Sequence, residues 1–483
     1  MPLLRLKFLL QNRALRCSSW LSGSTTPNCS RRYSTAPEFQ YEAFFKYTSG
    51  RWLHNEKQEL AKRYLRFNVD GLKVAVVKAA GANTVLRMKK LGEGEFNKAF
   101  LLTLDNGTEL VARLPLAKAG PGHLVTASEV ATMDYARTRL QIPIPRVLAW
   151  SSDADNNGVD SAYIIMEKAT GVCLQDVWPS MSLMMKRNVA EKLAELEKQY
   201  DIPLSGGYGA LYYRRDIDPE SSRDLFTDGV RESEFVLGPM TPTSFWRDGK
   251  AEMEGVDRGP WDEDPTKYVK AVAQREYDWL DKFKPQNVPE TMLAPASLMF
   301  PYEEHKSLLQ HLMSAAPYLL HSDPALIQPS LVHRDLSDSN IFISQEALEA
   351  GRIEFTSFID WQHSVVNPLY FSARIPAFLK NRYPEVNAAK ITQEEIQNIL
   401  KMPQEQRDAG MSIIQEVLLE DAYCDALREV NPLYYHALNF QTRSLLVAPI
   451  ACATGTWPDG FLPLQESLIN LQQCWDALNA GTH

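Results

Sequence analysis

The spacing of apolar residues changes period along the chain, and the changes divide it into segments. Residues 41–45 and 56–65 carry apolar positions at helical intervals, with Gly50 between them, so 38–80 read as a helical N-terminal extension. From 85 to 115 the period shortens to two. Residues 86–91 and 99–104 alternate, Asp105-Asn106-Gly107 signals a turn, and 109–114 resume as a strand. This succession predicts an antiparallel meander rather than a βαβ unit. A helix is predicted over 127–140, stopped by Pro143 and Pro145. Strands follow over 147–150 and 162–167, with the polar loop 153–160 between them.

After Gly171 the helical period dominates, and helices are predicted over 181–200, 265–283, 303–320, 392–401, 403–428 and 464–478. Residues 205–262 follow neither period. They are rich in Gly, Pro, Asp and aromatic residues and read as an irregular but ordered insert. The layout is α+β in two lobes: a small antiparallel β-rich lobe with one helix over 81–169, then a larger, mainly helical lobe over 170–483.

Composition narrows the function classes. Of 483 residues, 45% are hydrophobic and 23% charged, which is ordinary for a globular chain. The net charge of -9 speaks against nucleic-acid binding through bulk positive charge. No apolar run is long enough to span a bilayer. The six cysteines are scattered without a CxxC pair, so thiols are expected rather than a disulfide framework or zinc cluster. The first residues differ from the rest. Arg5, Lys7, Arg13, Arg16, Arg31 and Arg32 precede the first acid, Glu38, and serines are frequent. Residues 1–33 therefore read as a mitochondrial transit peptide, with cleavage after Tyr33 in Arg31-Arg32-Tyr33-Ser34.

The chemistry concentrates in two segments. The run His333-Arg334-Asp335-Leu336-Ser337-Asp338-Ser339-Asn340 matches H-R-D-L-x-x-x-N, and Ile341-Phe342-Ile343 follows it. Such a loop turns an acid toward a hydroxyl nucleophile and sets an amide five residues on, beside a cation. A second apolar strand, 353–359, is predicted to pair with 341–344 in a hairpin that ends on Asp360. Upstream, Gly92-Glu93-Gly94 lies between strands, where glycines let backbone approach phosphates. Arg113 stands on the next strand. Glu129 shares a helix face with Met133, Ala136 and Leu140, while Asp134 falls off it and is expected in solvent.

These segments resemble kinases, and more closely the aminoglycoside/choline-kinase-like phosphotransferase superfamily, whose I-D-W-x pattern stands here as Ile359-Asp360-Trp361-Gln362. No A-P-E follows Asp360, as it would in a protein kinase. The run from Phe44 to Leu53, Phe67-Asn68-Val69, and Gly207-Tyr208-Gly209 are similar to fungal altered-inheritance-of-mitochondria-type phosphotransferase proteins. The resemblance covers roughly residues 40–475. It implies a protein-kinase-like two-lobed fold that uses ATP and Mg²⁺. It also implies roles: Asp335 as catalytic base, Asn340 and Asp360 as magnesium ligands, and the amides of Gly92 and Gly94 at the β- and γ-phosphates. Arg113 would clamp phosphate in place of the usual kinase lysine, with Glu129 as its partner. Backbone groups of Glu167 and Ala169 would meet the adenine edge. His333 is expected to bond backbone near the loop.

Two functions stay open at this level. One is a small-molecule kinase of the mitochondrial matrix with an unidentified hydroxyl acceptor. The other is a nucleotide-binding pseudokinase serving as a mitochondrial assembly factor, favoured by Arg113 and the acids Glu93 and Glu95. A protein kinase is a third, resting on Arg334 alone. Glu420, Asp421 and Asp425 suit a cationic acceptor, but equally a solvated helix face.

Overall fold

A computed structural model describes residues 41–200, 202–283, 302–386, 388, 391–459 and 461–475. The expected transit peptide lies outside them. The small lobe begins with helix α1, Val69–Ala80, whose start is capped by the Asn68 side chain accepting from the Gly71 amide at 2.9 Å. Gly81 ends the helix at a φ of 63°, a conformation that glycine adopts without steric cost. Strands β1 (Val85–Glu93), β2 (Asn97–Leu104) and β3 (Glu109–Pro115) form the meander, and helix α2 (Gly122–Thr138) follows. Strands β4 (Val147–Ser151) and β5 (Tyr163–Glu167) complete an antiparallel sheet of order β1-β2-β3-β5-β4.

Alternation decides which face is buried. Phe100, Leu102 and Leu104 of β2 pack with Leu110, Ala112 and Leu114 of β3 against Phe45, Phe67, Leu72 and Val76. The N-terminal extension is thus the outer cover of the sheet: Phe67 and Phe44 each place a ring 5.3 Å from Phe100. The opposite face, which carries Asn97 and Arg113, turns toward the large lobe.

Strand β6 (Val172–Cys173) and helix α3 (Leu183–Glu197) open the large lobe. The next stretch differs from its reading as irregular. Strands β7 (Leu204–Ser205), β8 (Ala210–Tyr213), β9 (Arg223–Thr227) and β10 (Val230–Gly238) make a four-stranded sheet of order β7-β9-β10-β8. The strands are short, and the β9–β10 register shifts between Arg231 and Val236, so no sustained alternation marks them. Gly207, at a φ of 124°, has no room for a side chain: a Cβ would lie 1.9 Å from the Trp261 carbonyl oxygen. The sheet is tied to α2 by Tyr213, which donates to Asp134 at 2.9 Å; that acid, expected in solvent, is half-buried.

Helices α4 (Pro265–Phe283) and α5 (Tyr302–Ala315) lead to strands β11 (Pro329–Leu331), β12 (Ile341–Ile343), β13 (Phe355–Phe358) and β14 (Val366–Pro368). The lobe closes with α6 (Gln404–Val430), α7 (Pro432–Asn439), α8 (Arg443–Asp459) and α9 (Leu462–Gln473). Helices α7 and α8 have no counterpart in the periodicity reading. Pro432 begins the first, where its missing N–H costs nothing, and Pro449 and Gly455 break the helical signal of the second, which nevertheless runs unbroken from Arg443 to Asp459. Among the described residues no helix is long and apolar enough to cross a membrane.

One buried acid is a liability of this core. Glu197, at the end of α3, accepts from Tyr423 of α6 at 3.3 Å through Oε1, while Oε2 has no partner. Burial pushes its carboxyl up to about 8, against the weaker opposing effect of the Tyr423 hydrogen bond. A raised carboxyl stabilises the fold while protonated. That contribution is complete below the ordinary value of 4.5 and is lost as pH rises through about 8. Between pH 5 and 8.5 the wild-type chain is expected to lose about 2–4 kcal/mol more stability than Glu197→Gln. Urea titrations across that range check it; parallel curves would refute the assignment.

Candidate functional site

The site lies where β12, β13 and the loop between β11 and β12 meet the inner face of β2 and β3. The loop is shaped by its own polar groups. The Asp335 amide donates to His333 Nδ1 at 3.2 Å, and His333 Nε2 lies 3.0 Å from the Ile359 carbonyl oxygen. With Nδ1 accepting, Nε2 carries the proton, so one neutral imidazole ties the loop to the residue before Asp360. Burial holds its pKa below the ordinary value, which keeps that tautomer neutral. Trp361, fully buried, packs edge-on with its ring 4.5 Å from His333. A third tie runs from the Ile359 amide to the Asn340 carbonyl at 3.0 Å.

These contacts bring Asp335, Asn340 and Asp360 together. Asn340 donates through Nδ2 to the Asp335 carbonyl at 2.9 Å and to its Oδ2 at 3.3 Å. Its amide oxygen is left as the atom it can offer a cation. Asp335 is exposed. Asp360 sits at a φ of 64°, a left-handed conformation that aspartate tolerates better than most residues, with 41% of its side chain exposed.

Arg113 joins this group to the small lobe. One guanidinium nitrogen, Nη1, bonds Glu129 of α2, and Nη2 donates to Asp360 Oδ1 at 2.8 Å. Asn97, with its amide oxygen toward the guanidinium, accepts from Nη2 at 2.8 Å and Nε at 3.2 Å. Every guanidinium nitrogen therefore has a partner, and a phosphate would have to share it. Burial raises Glu129 to about 7 despite the adjacent Arg113, while Asp360 and Glu129 raise Arg113 against the cost of its own burial.

The other sequence-predicted residues lie around this centre. Gly92 and Gly94 form the β1–β2 hairpin, and neither is required by it: a Cβ at either would meet nothing within 4 Å. The expectation that both amides face phosphates needs correcting for Gly94. Its N–H closes the hairpin onto the Asn97 carbonyl at 3.0 Å, so it is already committed. Glu93 points away from the cleft into a buried cluster. Although burial opposes ionisation, hydrogen bonds from Lys98, Thr48 and Lys90 hold it down at about 2. Glu95 pairs with Lys118. The Glu167 amide is engaged by the Arg146 carbonyl at 3.0 Å, which leaves its carbonyl as the group for an adenine edge. Ala169 is half-exposed just beyond.

Asn97 and Gln362 escaped the sequence reading. They face each other 2.9 Å apart across the lobes. The signal for Asn97 was present: it lies two residues from Ala99, which pairs with Arg113, so period-two alternation sets Asn97 diagonal to the guanidinium.

The sequence pattern of the phosphotransferase enzyme family matches residues 87–371, from β1 to just past β14. The chain belongs to that family. The matched stretch includes every residue named above as a candidate site. Within this family framework, a subtelomeric hrmA-associated cluster protein of Aspergillus fumigatus is 32% identical over 317 residues, covering 60% of this chain. The match spans only 60% of that relative's own length. Altered inheritance of mitochondria protein 9, mitochondrial, of Zygosaccharomyces rouxii is 24% identical over 507 residues, covering 90% of this chain and 79% of its own. Among solved structures, the GDP and kanamycin complex of APH(2")-IIia aligns with 83% of this chain and 97% of its own, at 15% identity and a TM-score of 0.34.

Removing Arg113 leaves Glu129 buried and unpaired. Arg113→Ala is expected to destabilise the protein by about 3–5 kcal/mol near pH 8. The loss should be smaller at pH 5, where Glu129 can take up a proton, and Arg113→Lys, which reaches fewer partners, should fall between. Chemical denaturation at the two pH values measures this, and an equal loss at both would contradict the role given to Glu129.

Proposed function

We propose that the chain is an ATP-dependent phosphotransferase that phosphorylates a hydroxyl of a small molecule in mitochondria, within the matrix. The observation that carries this reading is the joint arrangement of Asp335, Asn340 and Asp360, with Asp360 held against Arg113 and Glu129 across the cleft.

The residues fit a hard cation. Asp360 keeps one carboxylate oxygen clear of Arg113, and Asn340 supplies an amide oxygen, the donor types magnesium prefers. When bound there, Mg²⁺ would supply positive charge that offsets the charge on the transferring phosphoryl group. The chain's own groups do the rest. Asp335, on an exposed loop and oriented by Asn340, accepts the proton of the acceptor hydroxyl as its oxygen bonds to the γ-phosphorus and the bond to ADP breaks. Arg113 fixes Asp360 and, through Glu129, the position of α2. On this reading the Glu167 carbonyl and the Ala169 backbone meet the adenine edge. The mitochondrial address rests on the basic, acid-free N-terminus and on relatives named as mitochondrial.

A second reading, a nucleotide binder without transfer, draws support from the committed Gly94 amide and the fully partnered Arg113. Two variants separate the readings. Mg·ATP at 100 times its dissociation constant should stabilise the wild type by about 2.7 kcal/mol, and Asp360→Ala should abolish the effect. Asp335→Ala should keep the stabilisation while phosphoryl transfer falls by roughly 10²–10⁴-fold. Stabilisation with no transfer to any acceptor would favour the second reading, and no stabilisation at all would remove both.

A further inference from the structure

Beside the catalytic loop lies a pocket of about 170 Å³, formed where α4 and α8 meet the segments around Arg334 and Arg374. Its floor and one wall are apolar, with Val332, Val365 and Ile450 among the lining residues. Its charged side chains, Arg334 and Arg374, are both cationic. Arg374 Nη1 donates to the Arg334 carbonyl at 2.7 Å, so the second arginine is fastened to the residue that precedes Asp335. Neither arginine forms an ion pair among the described residues. Arg334 donates no hydrogen bond there and keeps its solvent access through the pocket, although most of its surroundings are protein. Burial, with Arg374 beside it, pulls the Arg334 guanidinium below its ordinary value.

A second observation points to a ligand. His363, 92% buried in the same wall, has no hydrogen-bond partner at either ring nitrogen; the Thr241 backbone lies near the ring but outside bonding geometry. The buried amide oxygen of Asn367, also in the lining, is likewise without a partner. Unsatisfied buried polar groups are costly: the two unneutralised cations and a His363 N–H call for a negative group, and the Asn367 oxygen calls for a donor such as a hydroxyl. Two of the three acids that suit a cationic acceptor are used elsewhere. Glu420 accepts the Asn381 amide at 2.6 Å, and Asp425 pairs with Arg428 at 2.9 Å.

We infer that this pocket is the acceptor subsite, and that the acceptor carries an oxyanion, a carboxylate or a phosphate, beside the hydroxyl to be phosphorylated. The word acceptor rests on the phosphotransferase reading; the anion preference does not. Arginine's planar fork matches both oxyanions, and the apolar wall accommodates a short carbon skeleton between anion and hydroxyl.

The test uses the full chain in the presence of Mg·ADP and three probes by calorimetry: glycerate, glycerol 3-phosphate and choline. One of the two anions should bind and choline should not; which anion binds identifies carboxylate or phosphate as the recognised group. Arg334→Gln should weaken that binding about tenfold or more, the loss of one charge-assisted contact, and Arg334→Lys should retain most of it. Choline binding in preference to both anions, neither anion binding at millimolar concentration, or equal anion affinity in Arg334→Gln would each overturn the inference. If the glutamine variant fails to fold, the charge preference of the wild type decides alone. Arg334-dependent anion binding without nucleotide stabilisation would keep the pocket and remove the phosphotransferase reading. Nucleotide stabilisation with neither anion bound would do the reverse.

Discussion

The Arg113 guanidinium is the constraint on which the arrangement of the cleft depends. It sits on a strand of the small lobe, is nine-tenths buried, and is held by one carboxylate from the helix of its own lobe and one from the large lobe. A buried cation cannot stand alone, because its desolvation exceeds anything a single weak contact returns. The two carboxylates are equally bound by that logic. Glu129 lies in a helix whose residues from Val125 to Met133 are all buried, and without Arg113 it has no reason to ionise. Asp360 occupies a left-handed backbone position that must be over-determined by its surroundings to persist. The triad therefore fixes more than a charge balance: it sets the distance between β3, α2 and the turn after β13 in a single step.

The large lobe reaches the same turn by a different device. His333 spans two backbone groups, one on each side of the gap between the β11–β12 loop and the Asp360 turn, and does so only as a neutral ring with its proton on Nε2. Burial against Trp361 secures that state. Asp360 is thus approached from one side by a charged network and from the other by a neutral one. The asymmetry is physically sensible. A cationic His333 would compete for the Asp360 carboxylate, whereas a neutral one orients the backbone and leaves the oxygens available.

Much of this was legible in the sequence because the relevant signals are local. Strand β2 alternates cleanly, and its turn to β3 is marked by Asp105-Asn106-Gly107, so the centre of the meander could be read directly. Asp335, Asn340 and Asp360 announce themselves through fixed spacing on either side of a short hairpin, and the structure brings them together. What could not be read is what depends on non-local pairing or on local rules being overridden. The sheet of β7 to β10 has strands too short for a period to emerge. Helix α8 tolerates Pro449 because packing from α4, α5 and α9 outweighs the lost hydrogen bond, a balance invisible along the chain. The commitment of the Gly94 amide to Asn97 is likewise a matter of how the hairpin closes, since the same Gly-x-Gly pattern fits an open loop.

The distribution of charge within the cleft is the last element, and it runs against the chain as a whole. The sequence carries a net charge of -9, and one side of the site holds the carboxylates of Asp335 and Asp360 beside the neutral Asn340 amide. On the other side of the β11–β12 loop the charged side chains lining the pocket are Arg334 and Arg374, linked through the Arg334 carbonyl. Two neighbouring cations with no acid between them repel each other, and a protein with an excess of acids has many candidates to place opposite them. Selection for stability alone would favour such a counter-ion. Two arginines fastened to one loop without one, in a pocket that also holds a buried histidine with unmatched ring nitrogens, are more economically explained by a ligand that supplies the missing negative charge than by packing.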